Sequence, residues 1–443
     1  MSFPASVNIP TENYVSTVTE DFPTINRRYK LETGIQSRYQ RDYLPINCSL
    51  TSGAVQDSYL EFVLNSNEIE FIDTKGFSLE LKLKLQKNGA DIKADDNVTV
   101  IDGMAQRLLQ MHSVYLNGVP VESNSHFGFC QALDTYTTMR KTSVDSLGRN
   151  MFYNDVNMPI YDEVTAAQFG DAAMTSTAKQ IKSECRRTLH MVVPINFNLS
   201  TSDFYLISGV SMRIRFDLCN AKLLINAPGD ADTFSYSIET AKLWAQKVVP
   251  EPAALLSLNR SLFNGKSISY IHDRPVVKNF VFPAGHDSLT LENIFGGVIP
   301  QMVHVVFIRQ AAINGQFNLN GAHLAHCNLS SIRMEINGNT YSSMTTSFPN
   351  NIANLFYHTL TNLKCEDNML NYQSFKSGRT IHSWDLRGTD CADVLNIEKA
   401  GSLRINLLLD TPLANNYSVI VIGITSGLIE IFGNRVVKTS YLM

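Results

Sequence analysis

Hydrophobic and polar residues alternate with a period of two over much of this chain. From Ser58 onward, Leu60, Phe62 and Leu64 point one way while Tyr59, Glu61 and Val63 point the other. Residues 77–85 read F-S-L-E-L-K-L-K-L, with Phe77, Leu79, Leu81, Leu83 and Leu85 on one face and Glu80, Lys82 and Lys84 opposite. Successive strand side chains face opposite sides, so this pattern predicts sheets with one buried and one wet face. Antiparallel sheets packed as a sandwich meet that description. Further strands are predicted at 187–193, 210–218, 234–249, 276–282, 303–308, 379–386, 403–409 and 417–432. Helix-compatible spacing is confined to 127–140, 161–185 and 352–363.

Three of these strand phrases occur twice, in the same order. Ser113-Val114-Tyr115-Leu116-Asn117-Gly118, followed by Val121-Glu122-Ser123, returns as Ser331-Ile332-Arg333-Met334-Glu335-Ile336-Asn337-Gly338 with Tyr341-Ser342-Ser343. Asn-Gly between alternating runs is a strong hairpin signal, because both residues tolerate positive φ. Ser211-Met212-Arg213-Ile214-Arg215-Phe216-Asp217-Leu218 returns as Ser402-Leu403-Arg404-Ile405-Asn406-Leu407-Leu408-Leu409. Tyr236-Ser237-Ile238 leading to Val248-Val249 is matched by Tyr417-Ser418-Val419 leading to Val436-Val437. A chain of 443 residues accommodates two β-domains of about 200 residues each. The expected layout is an arm over 1–45, a first domain over 46–250 with a helical insertion at 125–185, a linker at 251–268 and a second domain over 269–443. Pro250, Pro252, Asn259, Asn264 and Gly265 mark the linker as breakers.

Composition narrows the function. The chain is 44% hydrophobic and 18% charged, enough for true cores. Its net charge of −4 argues against a protein that tracks nucleic-acid phosphates. Residues 1–10 lack the basic and apolar regions of a secretory signal, and the seven cysteines share no C-x-x-C spacing, so a reducing compartment is expected. The sequons at Asn97 and Asn328 are therefore expected to stay unmodified. The apolar run 419–432 is interrupted by Thr425, Ser426 and Glu430 and is too short to cross a bilayer.

Candidate chemistry is sparse. Glu68, Glu70 and Asp73 resemble the paired carboxylates of a β-sandwich glycoside hydrolase, where one acid protonates the leaving oxygen and another attacks or activates water. A regular strand, however, puts Glu68 and Glu70 on one face and Asp73 on the other, and only Trp244 and Trp384 are available to line a sugar cleft. His323, His326 and Cys327 are zinc-type donors without a second cluster at zinc spacing. No phosphate-binding glycine loop and no Gly-x-Ser-x-Gly elbow is present. Arg27-Arg28 and Arg186-Arg187 read as rim or subunit contacts. The expectation is no catalytic, cofactor or metal residue; a carbohydrate-active β-sandwich enzyme or a lectin is the alternative.

The order of motifs resembles the double jelly-roll major capsid proteins of Polinton/Maverick elements and adintoviruses, and more distantly the virophage and hexon-type proteins. The phrases that carry the resemblance are Tyr59-Leu60-Glu61-Phe62 with Ile72-Asp73, Val114-Tyr115-Leu116-Asn117-Gly118, and Phe204-Tyr205-Leu206-Ile207-Ser208-Gly209-Val210. Two more are Val281-Phe282-Pro283-Ala284-Gly285 ahead of Leu289-Thr290-Leu291-Glu292-Asn293-Ile294-Phe295, and Ile429-Glu430-Ile431-Phe432-Gly433-Asn434-Arg435. Coverage runs from about 43 to 438; residues 141–185 match weakly and 1–40 have no counterpart. The resemblance implies an all-β fold of two tandem eight-stranded antiparallel jelly rolls and no enzyme activity or cofactor. It further implies a virion structural protein whose homotrimers form pseudo-hexameric capsomers of an icosahedral shell. The implied partners are neighbouring capsomers and a penton or minor capsid protein, with packaged double-stranded DNA met only indirectly. The 125–185 insertion is then expected on the surface, as a tower or inter-subunit contact. The arm, with balanced charges and spaced aromatics, is expected to be an assembly device.

Overall fold

The computed structural model describes residues 35–48, 58–65, 69–170, 174–202, 204–229, 231, 233–348, 351–363, 367–387 and 399–441. In the first half, the main strands are β1 (Ile35–Tyr43), β2 (Tyr59–Leu64), β3 (Phe71–Lys87), β4 (Leu109–Leu116), β5 (Val119–Asn124), β6 (Thr188–Pro194), β7 (Met212–Leu218) and β8 (Phe234–Pro250). They pair antiparallel in two sheets, ordered β1-β8-β3-β6 and β2-β7-β4-β5.

The second half repeats this plan. Its strands are β9 (Ile268–Phe282), β10 (Ser288–Leu291), β11 (Met302–Arg309), β12 (Leu329–Ile336), β13 (Asn339–Thr345), β14 (His382–Asp385), β15 (Leu403–Leu409) and β16 (Tyr417–Ile431). Their sheets run β9-β16-β11-β14 and β10-β15-β12-β13. Each strand takes the place of the one eight before it. Two sheets of this order are a jelly roll, and the chain holds two.

The repeated phrases have a physical basis. Both hairpin tips use left-handed residues, Asn117 and Gly118 at φ 48° and 81°, Asn337 and Gly338 at 52° and 79°. Such a turn matches the twist of the strands it joins. Each asparagine also fastens the hairpin to its neighbour: Asn117 Oδ1 accepts from the Ser211 amide at 2.8 Å, and Asn337 Oδ1 from the Ser402 amide at 2.9 Å. The third phrase matches only at its start. Val248 and Val249 lie in β8, whereas Val437 opens β17 (Val437–Tyr441), a separate strand folded back on β16.

Alternation in β3 becomes burial: Phe77, Leu79, Leu81, Leu83 and Leu85 are 2% exposed or less. In β16 both faces are covered. Val419 and Val421 enter the core inside the second roll, while Ile420 and Ile422 join the core shared with the first half. This double burial explains the near-continuous apolar run at 419–432, as it does for any strand covered on both sides. Among the described residues no helix is long and apolar enough to cross a membrane.

Three expectations are corrected. Residues 35–43, assigned to the arm, form β1, whose Ile35 lies opposite Pro250 and Tyr43 opposite Leu243. Its side chains are nearly all exposed, so it carries no apolar signature. The 251–268 stretch holds a helix, α3 (Pro252–Phe263); an α1 (Phe127–Thr138) and α2 (Ser176–Glu184) lie in the insertion. Pro252 at the first turn of α3 starts a helix instead of breaking one. Finally, the insertion is not simply an outward tower. Phe127, Leu133, Tyr136, Val144 and Met151 are buried in the same core as Val306 and Ile308 of the second roll.

Candidate functional site: the joint between the rolls

The two rolls meet over their long loops. The Ile160 amide donates to the Ser377 carbonyl at 2.9 Å and the Val164 amide to Asn318 at 2.8 Å. Tyr270, near the start of the second roll, donates its hydroxyl to the Tyr205 carbonyl at 3.1 Å and accepts from the Ile207 amide at 3.3 Å. Thus Tyr205 and Ile207, part of a resemblance-bearing phrase, form an inter-roll seam.

At the centre lies a buried polar cluster. Asp102 Oδ2 accepts from the Tyr136 hydroxyl at 2.8 Å and from Arg379 Nη2 at 3.2 Å, and its Oδ1 accepts from the Asn154 amide at 2.7 Å. Arg379 Nη1 donates to the Val156 carbonyl at 2.9 Å, and the guanidinium lies 5.6 Å from the Tyr136 ring centre. Asp102 comes from the first roll, Tyr136 and Val156 from its insertion, and Arg379 from the approach to β14 in the second roll. One carboxylate therefore ties three segments distant in sequence. Burial opposes the charge of Arg379, but Asp102 and Tyr136 more than offset it and hold the guanidinium protonated. Burial likewise pushes the Tyr136 phenol well above its ordinary range.

The backbone is shaped for this cluster. Gly103 sits at φ 69°, and a Cβ there would fall 2.7 Å from Tyr153 Cζ. Tyr153 in turn donates to Gln106 Oε1 at 2.5 Å, and Gln106 Nε2 to Thr135 at 2.9 Å. Apart from Arg379 Nε, which is buried without a partner, the groups of the cluster are hydrogen-bonded to one another and to the backbone. Its action is mechanical: it fixes one roll against the other.

The other candidates take structural partners. Glu68 lies outside the described residues. Glu70 stands 3.9 Å from the buried ammonium of Lys247, and Asp73 accepts from the Lys75 amide at 3.0 Å. Tyr39 is pushed up to about 12 by burial and by its hydrogen bond to Glu70. His326 stacks on Phe348 at 4.6 Å with rings 4° apart, and His323 lies 3.9 Å from Asp162. Burial pushes the Cys327 thiol up. Among the described residues no group of three or more His, Cys, Asp or Glu is placed to hold a metal. Arg186 donates to the Ala94 carbonyl, Arg187 is exposed, and Arg27-Arg28 lie outside the described residues. Burial lifts the Cys185 thiol to about 12 and that of Cys219 to about 11, which makes both inert packing groups at neutral pH. Asp102, Tyr136 and Arg379 escape sequence reasoning because a lone charge in a loop gives no sign of a partner 277 residues away.

Two tandem jelly rolls joined in this way define the class: a double jelly-roll protein. The chain aligns over its full length with a chain of the Sputnik virophage cryo-EM structure, covering 94% of that chain at 12% identity with a TM-score of 0.59. It likewise aligns over its full length with the mavirus major capsid protein, covering 97% of it at 10% identity and a TM-score of 0.52. For the Faustovirus major capsid protein, 91% of this chain and 92% of that one are covered, at 9% identity and a TM-score of 0.53. No family model and no curated protein matches the chain. At such identities the likeness establishes a shared fold.

Proposed function

We propose that the chain is a major capsid protein, the subunit of a homotrimeric, pseudo-hexameric capsomer in an icosahedral viral shell. The observation that carries this reading is the strand-for-strand duplication of the jelly roll, locked by a buried joint. Three such chains present six sandwiches, and a near-hexagonal block of that kind tiles a flat facet. The likeness to the mavirus major capsid protein over the full chain, and to the Faustovirus major capsid protein over 91% of it, supports this reading, and the phrases quoted above favour the Polinton/Maverick–adintovirus type.

The proposed units are an arm ending near residue 34, a first roll from β1 to β8, α3 as connector and a second roll from β9 onward. Within the second roll, α4 (Ala353–Leu363) leaves Tyr357 73% exposed, while its neighbour Phe356 packs edge-on against Tyr372 at 5.6 Å. An exposed aromatic of this kind suits a contact with a neighbouring subunit. Penton contacts, an indirect relation to packaged double-stranded DNA and the lack of a catalytic site belong to the same reading. Light scattering tests it: the purified protein at micromolar concentration should have three times the 49.5 kDa chain mass. Obligate contacts of about 2,000 Å² or more keep such a trimer together on dilution. A stable monomer, or turnover of a polysaccharide, counts against the proposal.

A further inference from the structure

One open groove lies beside the connector helix between the rolls, near the point where the described residues begin. The chain enters the first roll at Ile35, directly opposite Pro250, and α3 begins two residues later at Pro252. Along α3, Leu256 is 68% exposed and Phe263, seven residues on and on the same face, is 91% exposed. Beside Phe263 the end of α3 and the turn after β16 enclose a groove of about 760 Å³. Its apolar lining includes Leu262, Phe263 and Phe432, and its cations are Lys266, Arg435 and Lys438. Among the described residues no acidic side chain lines it. Arg435 Nη1 is buried there without a partner, although Nη2 reaches Asn259 at 3.3 Å. An apolar floor flanked by Arg435 and Lys438 calls for an acidic, aromatic segment.

Ahead of Ile35, Glu20-Asp21-Phe22-Pro23 sets two carboxylates directly before an aromatic, whereas Glu12-Asn13-Tyr14 offers only one. The nearer aromatic, Tyr29, is flanked by Arg27, Arg28 and Lys30, and the groove would repel it. Reach is sufficient: Phe263 is about 17 Å along the helix from Pro252, while the 13 residues from Phe22 to Ile35 span up to about 43 Å. We propose that Glu20–Pro23 of the chain's own N-terminal arm docks in this groove, with Phe22 against Phe263 and its two carboxylates facing Arg435 and Lys438. The tether beside Pro250 favours the chain's own groove, since it keeps the segment at high effective concentration there. Docking then holds the arm back along the connector between the rolls.

The test uses the full-length chain carrying Thr24→Cys and Val436→Cys; among the described residues no native cysteine lines the groove. Mild oxidation should give a disulfide that runs at single-chain mass on a denaturing gel and is identified by peptide mass. Phe263→Asp, a change at an exposed position, should abolish that cross-link. In the chain with native cysteines it should also speed tryptic cleavage at Arg27-Arg28 at least about tenfold, because cleavage follows the undocked population. Absence of the disulfide, its formation between chains, or indifference to Phe263→Asp overturns the proposal. All three readouts concern a contact within one chain, so they stand or fall separately from the capsid reading.

Discussion

Acid should loosen the second roll through two buried histidines. His382 is fully buried between Phe307 and Phe375, with ring centres 5.9 and 6.3 Å away, and neither of its ring nitrogens has a partner. Burial, with His358 nearby, lowers its pKa to about 3. His304, on the neighbouring strand and paired through Nδ1 with Ser383 at 2.8 Å, is lowered by burial to about 4. A base whose pKa falls on folding binds fewer protons folded than unfolded. The stability it contributes is complete above about pH 6.5 and drains as pH falls toward 4 and 3. At pH 5 the unfolded histidine lies 1.5 units below its ordinary pKa, so each costs about 2 kcal/mol and the pair about 4 kcal/mol. His126, His272 and His358 shift the same way. Asp134, shifted up to about 6 by desolvation, opposes the loss, but it lies on the exposed side of α1 and solvent screens its share. The assay is urea unfolding at pH 7.5 and pH 5.0 of the native chain and His382→Leu. Leucine forfeits no hydrogen bond at this site, so the variant should be about as stable as the native chain at pH 7.5 and should lose about 2 kcal/mol less on acidification. An identical pH dependence in the two proteins would mean that His382 does not couple folding to protonation.

Further expectations concern the joint. Arg379→Met leaves the Asp102 carboxylate buried without its cation and should cost about 3–5 kcal/mol by urea unfolding, whereas adding Asp102→Asn should recover part of that loss. Gly103→Ala meets both a left-handed backbone and the Tyr153 ring and should cost about 2–4 kcal/mol. Gly118→Ala, at φ 81° with nothing within 4 Å, should cost only about 1 kcal/mol by the same measurement.

What the sequence reveals follows from where side chains are one-sided. β3 declares itself because one face packs on the opposing sheet and the other meets water. The paired hairpins declare themselves because Asn-Gly is needed for the turn and Asn117 and Asn337 for the clasp on the next strand. β1 is silent since it lies at a sheet edge with both faces exposed, so burial imposes no alternation on it. α3 is masked by Pro250 and Pro252, residues that break a helix interior but suit its first turn. The insertion's role is hidden for a different reason. Its aromatic residues, such as Tyr136 and Tyr153, look the same in a surface helix as in a wedge between domains, and only the position of Arg379 distinguishes the two.

On the proposed reading, three copies of this double jelly roll associate into one six-sandwich block. Negative-stain imaging of the purified full-length protein tests it most directly. Three-fold particles with a near-hexagonal outline, each resolving six lobes, are expected. Isolated two-lobed particles of a single 49.5 kDa chain under the same conditions would contradict it.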